Sequence, residues 1–231
     1  MLAELILTIA TATPVGSIAL TRGEELLAEL ILKPFGSHSD FLIPAIDEIL
    51  QRTGTVMEEI DAFAAVVGPG AFTGLRVGVS TVKGLAQATG KPVIAVSSLK
   101  TIAMQACDAG LPICALLDAR KGEVYSGLFQ YRNGFPEPTM RERVAPPEIV
   151  LESIRDHTLF IGDGCRPYRT LIVRHCAQHA HFAPWVANPL RASYAAMLAH
   201  ELYRNGEVVS ALELLPVYIR LSEAEINQIK G

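Results

Sequence analysis

Short apolar runs broken by turn residues open the chain. Residues 5–11, 16–21 and 26–32 are rich in Ile, Leu and Thr, with Thr13-Pro14 and Arg22-Gly23-Glu24 between them. That alternation predicts a meander of three strands. From about residue 40 the apolar positions change to helical spacing (Phe41, Leu42, Ala45, Ile46, Ile49, Leu50). A helix is predicted over 40–52, capped by Ser37 or Ser39, with Pro44 in its first turn. A strand over 62–67, a glycine-dense turn, a helix over 74–89 and a short strand over 92–96 complete the first half.

The second half repeats this order. Strands are predicted at 113–119 and 124–131, separated by Arg120-Lys121-Gly122-Glu123, and Asn133-Gly134 leads to a third near 139–144. Pro146-Pro147 opens a helix over 148–155. A strand over 158–161, a helix over 168–177, a short strand over 181–183 and a helix over 193–205, stopped by Gly206, follow. Three strands, helix, strand, helix, written twice, predict an α/β protein of two ribonuclease-H-like lobes. This is the duplicated architecture of the actin-like ATPase (ASKHA) superfamily. The lobes are expected at 1–98 and 99–231, the second carrying a C-terminal tail.

Composition narrows the function. Half of the 231 residues are hydrophobic and 19% are charged, which excludes a disordered chain. The net charge of -4 leaves no basic footprint, so a nucleic acid, if the protein serves one, is not expected to be gripped by this chain alone. Cys107, Cys114, Cys165 and Cys176 form no C-x-x-C pair and read as reduced thiols of a cytoplasmic protein. The N-terminus lacks a basic n-region, and no apolar run nears the roughly 20 residues of a membrane span.

The segment Gly68-Pro69-Gly70-Ala71-Phe72-Thr73-Gly74-Leu75-Arg76-Val77-Gly78 is the richest in chemistry. A glycine turn feeding a helix start can cradle an anion. It can equally be a tight reversal that lets helix and sheet approach closely. It is neither the dinucleotide fingerprint nor a P-loop, and Lys83-Gly84 lies too far downstream of Gly70 to serve one phosphate. Thr73 is the expected N-cap and Arg76 is expected to point outward. ATP-using members of the duplicated fold carry an aspartate at the end of strand one, where this chain reads Ile9-Ala10-Thr11-Ala12-Thr13. Alanine cannot hold Mg²⁺, and Asp118 beside Arg120 and Lys121 reads as a salt-linked hairpin residue. Phosphoryl transfer therefore loses its main support.

The remaining candidates are bland. His175 and His179 have i, i+4 spacing with His181 close behind, but without a nearby carboxylate they read as a solvated helix end and not as a metal site. His38 stands alone. Ser80, Ser97 and Ser98 lack a nucleophile elbow, and the cysteines lack an activating histidine. No cofactor and no catalytic residue is expected. The helix over 74–89 has one apolar stripe of Leu75, Val79, Val82 and Ala86 and a second of Val77, Gly78, Thr81, Leu85 and Ala88. A helix apolar on two faces is internal or awaits a partner. The preferred reading is a helix-to-helix protein interface formed by Phe41, Leu42, Ala45, Ile49, Leu75, Val79, Val82 and Leu85.

Three ordered segments carry a resemblance: the glycine segment, Asp118-Ala119-Arg120-Lys121-Gly122-Glu123-Val124-Tyr125, and Pro216-Val217-Tyr218-Ile219-Arg220. Together they resemble the bacterial TsaB (YeaZ) family of tRNA threonylcarbamoyladenosine biosynthesis proteins. The departure is Ala10, where the family usually reads I-D-T-A-T. The resemblance implies a non-catalytic subunit that pairs with the catalytic paralogue TsaD, receives the ATPase TsaE, and forms a homodimer when free. It also implies contacts through the two N-lobe helices. The alternative is an enzyme, an ATP-dependent kinase or metallopeptidase of the actin-like fold, against which Ala10 and the missing N-lobe histidine pair both speak.

Overall fold

The computed structural model of the chain describes residues 3–107 and 109–220. The first sheet contains β1 (Leu5–Ala10), β2 (Gly16–Arg22), β3 (Glu25–Leu32), β4 (Ala62–Gly68) and β5 (Val93–Ser97), in the order β3-β2-β1-β4-β5. The second contains β6 (Ile113–Asp118), β7 (Val124–Arg132), β8 (Phe135–Pro138), β9 (Arg143–Ala145), β10 (Thr158–Ile161) and β11 (Ala180–Phe182). Its order, β8-β7-β6-β10-β11, is the same sequence of antiparallel and parallel neighbours. The duplication expected from the sequence pattern is therefore present, with β9 as an additional strand on β7 of the second sheet.

Helices fill three layers around the two sheets. On the outer face of the first lie α1 (His38–Thr53) and α2 (Phe72–Thr89), against Leu5, Leu7, Ile9, Ile18, Leu20, Phe63 and Val67. On the outer face of the second lie α4 (Pro147–Leu151) and α5 (Cys165–Cys176). Between the sheets lie α3 (Ser98–Met104) and α6 (Ala192–Arg204), in one continuous apolar core with Ile6, Val66, Leu117 and Phe129.

The chain passes from the first sheet to the second after Ser97, and α6 returns to cover β1 and β2. Polar side chains fix that return. Arg191, just before α6, pairs with Glu29 of β3, and Glu29 also accepts the Ser193 N–H at 3.0 Å. Ser17 Oγ accepts the Ala192 N–H at 3.0 Å. The N-terminus of α6 is thus capped by side chains of the opposite lobe.

Several boundaries differ from expectation. The helix α1 starts at His38, so Pro44 sits in its second turn and the Asp40 carbonyl lacks its helical donor. Asp40 has a compensating role: its carboxylate accepts the Ser37 N–H at 3.2 Å and hydroxyl at 2.9 Å, which lower its pKa. The third strand of the second sheet is not continuous over 139–144. It splits into β8 and β9, both on β7, and the two prolines of β8 fit an edge position. The helix α3 was not anticipated. Seven residues are too few to show helical periodicity, although Ser97 caps it through the Lys100 N–H at 3.2 Å.

The largest correction concerns the eight side chains expected at a partner interface. Phe41, Leu42, Ala45, Ile49, Leu75, Val79 and Val82 are buried inside this chain, and Leu85 is half-buried. The reason is the sheet itself, whose outer face is as apolar as its inner one and has only α1 and α2 to cover it. The second stripe of α2 is partly covered by residues 205–220. Val209 bridges to Val93 at the open edge of β5, and Leu214 enters the core under α2. Lys83 Nζ donates to the Leu212 and Leu214 carbonyls at 3.3 and 3.1 Å. Among the described residues, no helix is long and apolar enough to cross a membrane.

Candidate functional site

The three segments that carried the resemblance meet in one place. A cleft of about 1370 Å³ lies between the lobes, and all three contribute to its walls. The first lobe supplies the β1–β2 turn (residues 12–15) together with Gly70, Ala71, Phe72 and Arg76; the second supplies residues 117–121, Asp163 and Arg166. Tyr218 and Arg220 cross between them. The crossing segment is pinned at each end. The Val217 N–H donates to the Val67 carbonyl at 2.8 Å, and Arg220 donates to the Ala119 carbonyl at 2.7 Å while pairing with Glu123.

In the first lobe the glycines serve close approach. A Cβ on Gly70, Gly74 or Gly78 would overlap the Ala12 carbonyl, the Thr11 carbonyl or the Thr11 hydroxyl, respectively. The α2 start therefore lies directly on the end of strand one. The Ala71 N–H donates to the Ala12 carbonyl at 2.8 Å, and Thr11 Oγ1 donates to the Gly74 carbonyl at 2.7 Å. Of the two readings of this loop, tight reversal is the one the geometry realises. The N-cap is Ala71, not Thr73, because the helix starts at Phe72. Gly68 forms a cis peptide bond with Pro69, and both are buried. Arg76 is exposed as expected, but it folds back over the Phe72 ring at 3.9 Å and donates to Tyr218 Oη at 3.1 Å. Phe72 and Tyr218 stack at 4.5 Å. Ala10 is fully buried, within the apolar cluster between the sheets and opposite Ser17 of β2.

The corresponding corner of the second lobe is charged. Gly162 has φ 110°, and a Cβ there would overlap the Leu116 carbonyl, so this turn also lies on the end of its strand. Asp163, however, occupies the turn, and its carboxylate accepts the Asp118 N–H at 3.0 Å. Burial pushes the Asp163 pKa up, opposed by that hydrogen bond and assisted by the Asp118 charge. Asp118 accepts the Arg120 N–H at 2.9 Å and faces its guanidinium at 3.5 Å, as a hairpin residue should. Arg120 and Lys121 both hold left-handed backbone, φ 61° and 55°.

Six cationic side chains line the cleft (Lys33, Arg76, Arg120, Lys121, Arg166, Arg220) against two carboxylates, Asp118 and Asp163. Trp185 stands at its lip, 82% exposed. Lys33, Arg166 and Trp185 were not singled out in the sequence. Each lies in a loop or at a helix start with no motif around it, and only the tertiary fold brings them together.

Elsewhere the expected minor sites resolve simply. His38 Nε2 meets the Thr13 carbonyl at 3.0 Å. His179 and His181 lie beside His157, which is 2.9 Å from His181 through ring nitrogens, while His175 stays on α5. Among the described residues no three His, Cys, Asp or Glu side chains are arranged to hold a metal ion. Cys114, Cys165 and Cys176 are buried in the core under α4 and α5, and burial pushes their thiols above the ordinary range.

Outward on the two N-lobe helices are Ser39, Asp40, Ile43, Pro44, Asp47, Glu48, Gln51 and Arg52 of α1 and Thr73, Arg76, Ser80, Gly84, Gln87 and Ala88 of α2. Gly84 is unlike the three glycines before it, because nothing lies within 4 Å of where its Cβ would stand.

Comparison with known proteins agrees with this architecture. The family model for tRNA N6-adenosine threonylcarbamoyltransferase (TsaD) matches residues 35–228. A Bacillus subtilis protein named tRNA threonylcarbamoyladenosine biosynthesis protein TsaB is 31% identical over 98% of both chains. A Rhizobium meliloti tRNA N6-adenosine threonylcarbamoyltransferase is 46% identical over 70 residues, 30% of this chain and 19% of that one. The solved structure of YeaZ from Pseudomonas aeruginosa superposes with a TM-score of 0.82 at 31% identity, covering 93% of this chain and 99% of that one. With near full-length identity to its named members and the same duplicated fold, the chain belongs to the TsaB (YeaZ) family of the actin-like superfamily.

Proposed function

We propose that this chain acts in tRNA threonylcarbamoyladenosine biosynthesis as a non-catalytic subunit that binds and activates the catalytic paralogue TsaD. It reaches tRNA through that complex, works in the cytoplasm, receives TsaE on the assembled pair, and pairs with itself when TsaD is absent. The observation that carries the partner role is Gly84. A glycine inside an exposed helix costs about 1 kcal/mol relative to alanine. Gly70, Gly74 and Gly78 are required by the strand beneath them, but nothing in this chain requires Gly84. With Ser80 and Ala88, each one turn away, it makes a shallow exposed stripe on the outer face of α2. A stripe of this kind lets a partner helix approach closely. The short stretch of high identity to a threonylcarbamoyltransferase supports a partner of the same fold, which could present matching helices.

The enzyme reading is disfavoured by Ala10, a fully buried methyl side chain that offers no group to bind a metal or phosphate. The test is Gly84→Arg, since an added side chain there meets open space and leaves the fold intact. Co-expressed TsaD should fail to co-purify with G84R, while G84A should retain it in part. Undiminished capture of TsaD by G84R would remove α2 from the interface. Charge introduced at Val79 would not discriminate, because that side chain is buried and its loss would disturb the core.

A further inference from the structure

We propose that His157 and His181, with His179 beside them, form a site for a divalent transition-metal ion of tetragonal preference, Cu²⁺ or Ni²⁺, that ties the edge strand of the second sheet to its neighbour. None of the three lines the interlobe cleft, and the site does not depend on the partner role.

Strand register builds the cluster. In the parallel pair of β10 and β11, Thr158 lies opposite Ala180 and Leu159 opposite His181. His157 is thereby brought opposite His179 at the start of the ladder. Residues two apart on a strand share a face, so His179 and His181 stand on one side of the sheet. The rings agree with this placement, His157 lying 4.7 Å from His179 and 5.1 Å from His181 between centroids. Three of the six histidines of the chain are gathered on one sheet edge.

Two nitrogens are already spaced for a chelate. His157 Nδ1 and His181 Nε2 lie 2.9 Å apart, joined by a hydrogen bond. Metal–imidazole bonds of about 2.0–2.1 Å drawn to nitrogens at that separation meet at about 90°. This is the cis angle of square-planar and tetragonal ions, whereas a tetrahedral angle needs the nitrogens about 3.3 Å apart. The rings must tilt toward a common point for the cation to replace the hydrogen bond, which two exposed side chains can do. The third donor is not preset, since three nitrogens do not converge as the rings stand. His179 Nδ1, however, is buried without a hydrogen-bond partner. A ring turn that presents it to the cation exchanges an unsatisfied group for a ligand bond. The ion has a structural use. β11 is three residues long and pairs only with β10 among the described strands, so a cross-link to His157 holds a weak edge in place.

The untagged full chain, stripped of metal with a chelator, is titrated calorimetrically with Ni²⁺, Zn²⁺ and Mg²⁺, and with Cu²⁺ for electron paramagnetic resonance. Ni²⁺ should bind more tightly than about 0.1 mM, Zn²⁺ more weakly than Ni²⁺, and Mg²⁺ not at all. Bound Cu²⁺ should show coupling to imidazole nitrogens. His157→Gln and His181→Gln, both at exposed positions, should each weaken Ni²⁺ by at least about tenfold. His179→Gln should weaken it less, and His175→Gln, exposed on α5, should leave it unchanged. Saturating Ni²⁺ should raise the denaturation midpoint of the wild-type chain but not that of His181→Gln. Ni²⁺ binding weaker than about 0.1 mM would overturn the proposal. So would wild-type affinity in both ligand variants, an effect of His175→Gln as large as theirs, or Zn²⁺ binding more tightly than Ni²⁺. These variants leave the outer face of α2 intact, so capture of TsaD tests the partner role separately.

Discussion

The two lobes reach the same backbone solution and opposite chemistry. In each, a glycine turn after the fourth strand lies on the end of the first strand: Gly70 on Ala12, Gly162 on Leu116. In the first lobe the corner is then closed by the Ala71–Ala12 hydrogen bond and lined by buried Ala10. In the second the turn is joined to the strand in the same way, by the Gly164 N–H donating to the Leu116 carbonyl at 3.1 Å, but Asp163, Asp118, Arg120 and Arg166 face the cleft. Topology and steric fit are shared, while the charged side chains are not. A duplicated fold therefore fixes where a site can form but leaves to side chains whether one does.

The steric half of this comparison should give the largest effects. Gly74→Ala and Gly162→Ala each force a Cβ into a backbone carbonyl, and Gly162 must also hold φ 110°. Each should cost about 3 kcal/mol or more, the range of severe overpacking and backbone strain. Gly84→Ala should do the opposite and stabilise the free chain by about 0.5–1 kcal/mol. Urea denaturation of the three variants checks both signs. A mild Gly74→Ala would mean that the α2 start can move off strand one, and the closed corner would then be a conformation and not a fixture.

How far this contrast was legible follows from the same residues. The repeated order of strands and helices was readable because each element is bounded by turn residues and shows its own periodicity. Ala10 and the glycine segment were readable because they are contiguous. The destination of α1 and α2 was not. Leu75 and Val79 look alike whether they meet a partner or the sheet beneath, and only the apolar outer faces of β1, β2 and β4 decide between those outcomes. The cleft cations were hidden for a related reason. Lys33 and Arg166 lie 133 positions apart in sequence and become neighbours of one cavity only when both lobes have folded.

A smaller effect tests the charged half of the comparison by exchanging carboxylates between the corners. Ala10→Asp places a carboxylate where the surroundings are apolar and fully buried, and should destabilise the chain by about 2–3 kcal/mol at neutral pH. Asp163→Asn keeps an oxygen to accept the Asp118 N–H and removes a charge that burial already disfavours. It should leave stability at pH 7 unchanged or slightly raised. If Ala10→Asp were harmless and Asp163→Asn severe, the two corners would be closer in polarity than their linings suggest.

The smallest predicted effect is a difference in acid response. The first lobe depends on buried His200, whose Nε2 lies 2.9 Å from Thr21 Oγ1 and whose Nδ1 lies 2.9 Å from Glu4. Burial lowers the His200 pKa below 6.5, although the Glu4 hydrogen bond and charge work against the shift. A depressed folded pKa means that the contribution to stability is intact above pH 6.5 and is lost as pH falls through the folded value. Burial acts to raise Glu4, but its backbone hydrogen bond, His200 and Arg204 together bring it below 4.5, so it adds a second loss at lower pH. Asp163 has the opposite sign. Its folded pKa is raised above 3.8, so its protonation favours the folded state as pH falls, and this contribution disappears as pH rises through the folded value. The denaturation midpoint of the wild-type chain should therefore decline between pH 6.5 and 4.5, and His200→Gln should flatten that decline. Asp163→Asn should steepen the net loss on acidification, because one of two carboxyls whose burial makes protonation favour the folded state, the other being Glu142, is then absent. An unchanged slope in His200→Gln would show that the imidazole does not carry the acid response, and the first lobe would then be no more acid-sensitive than the second.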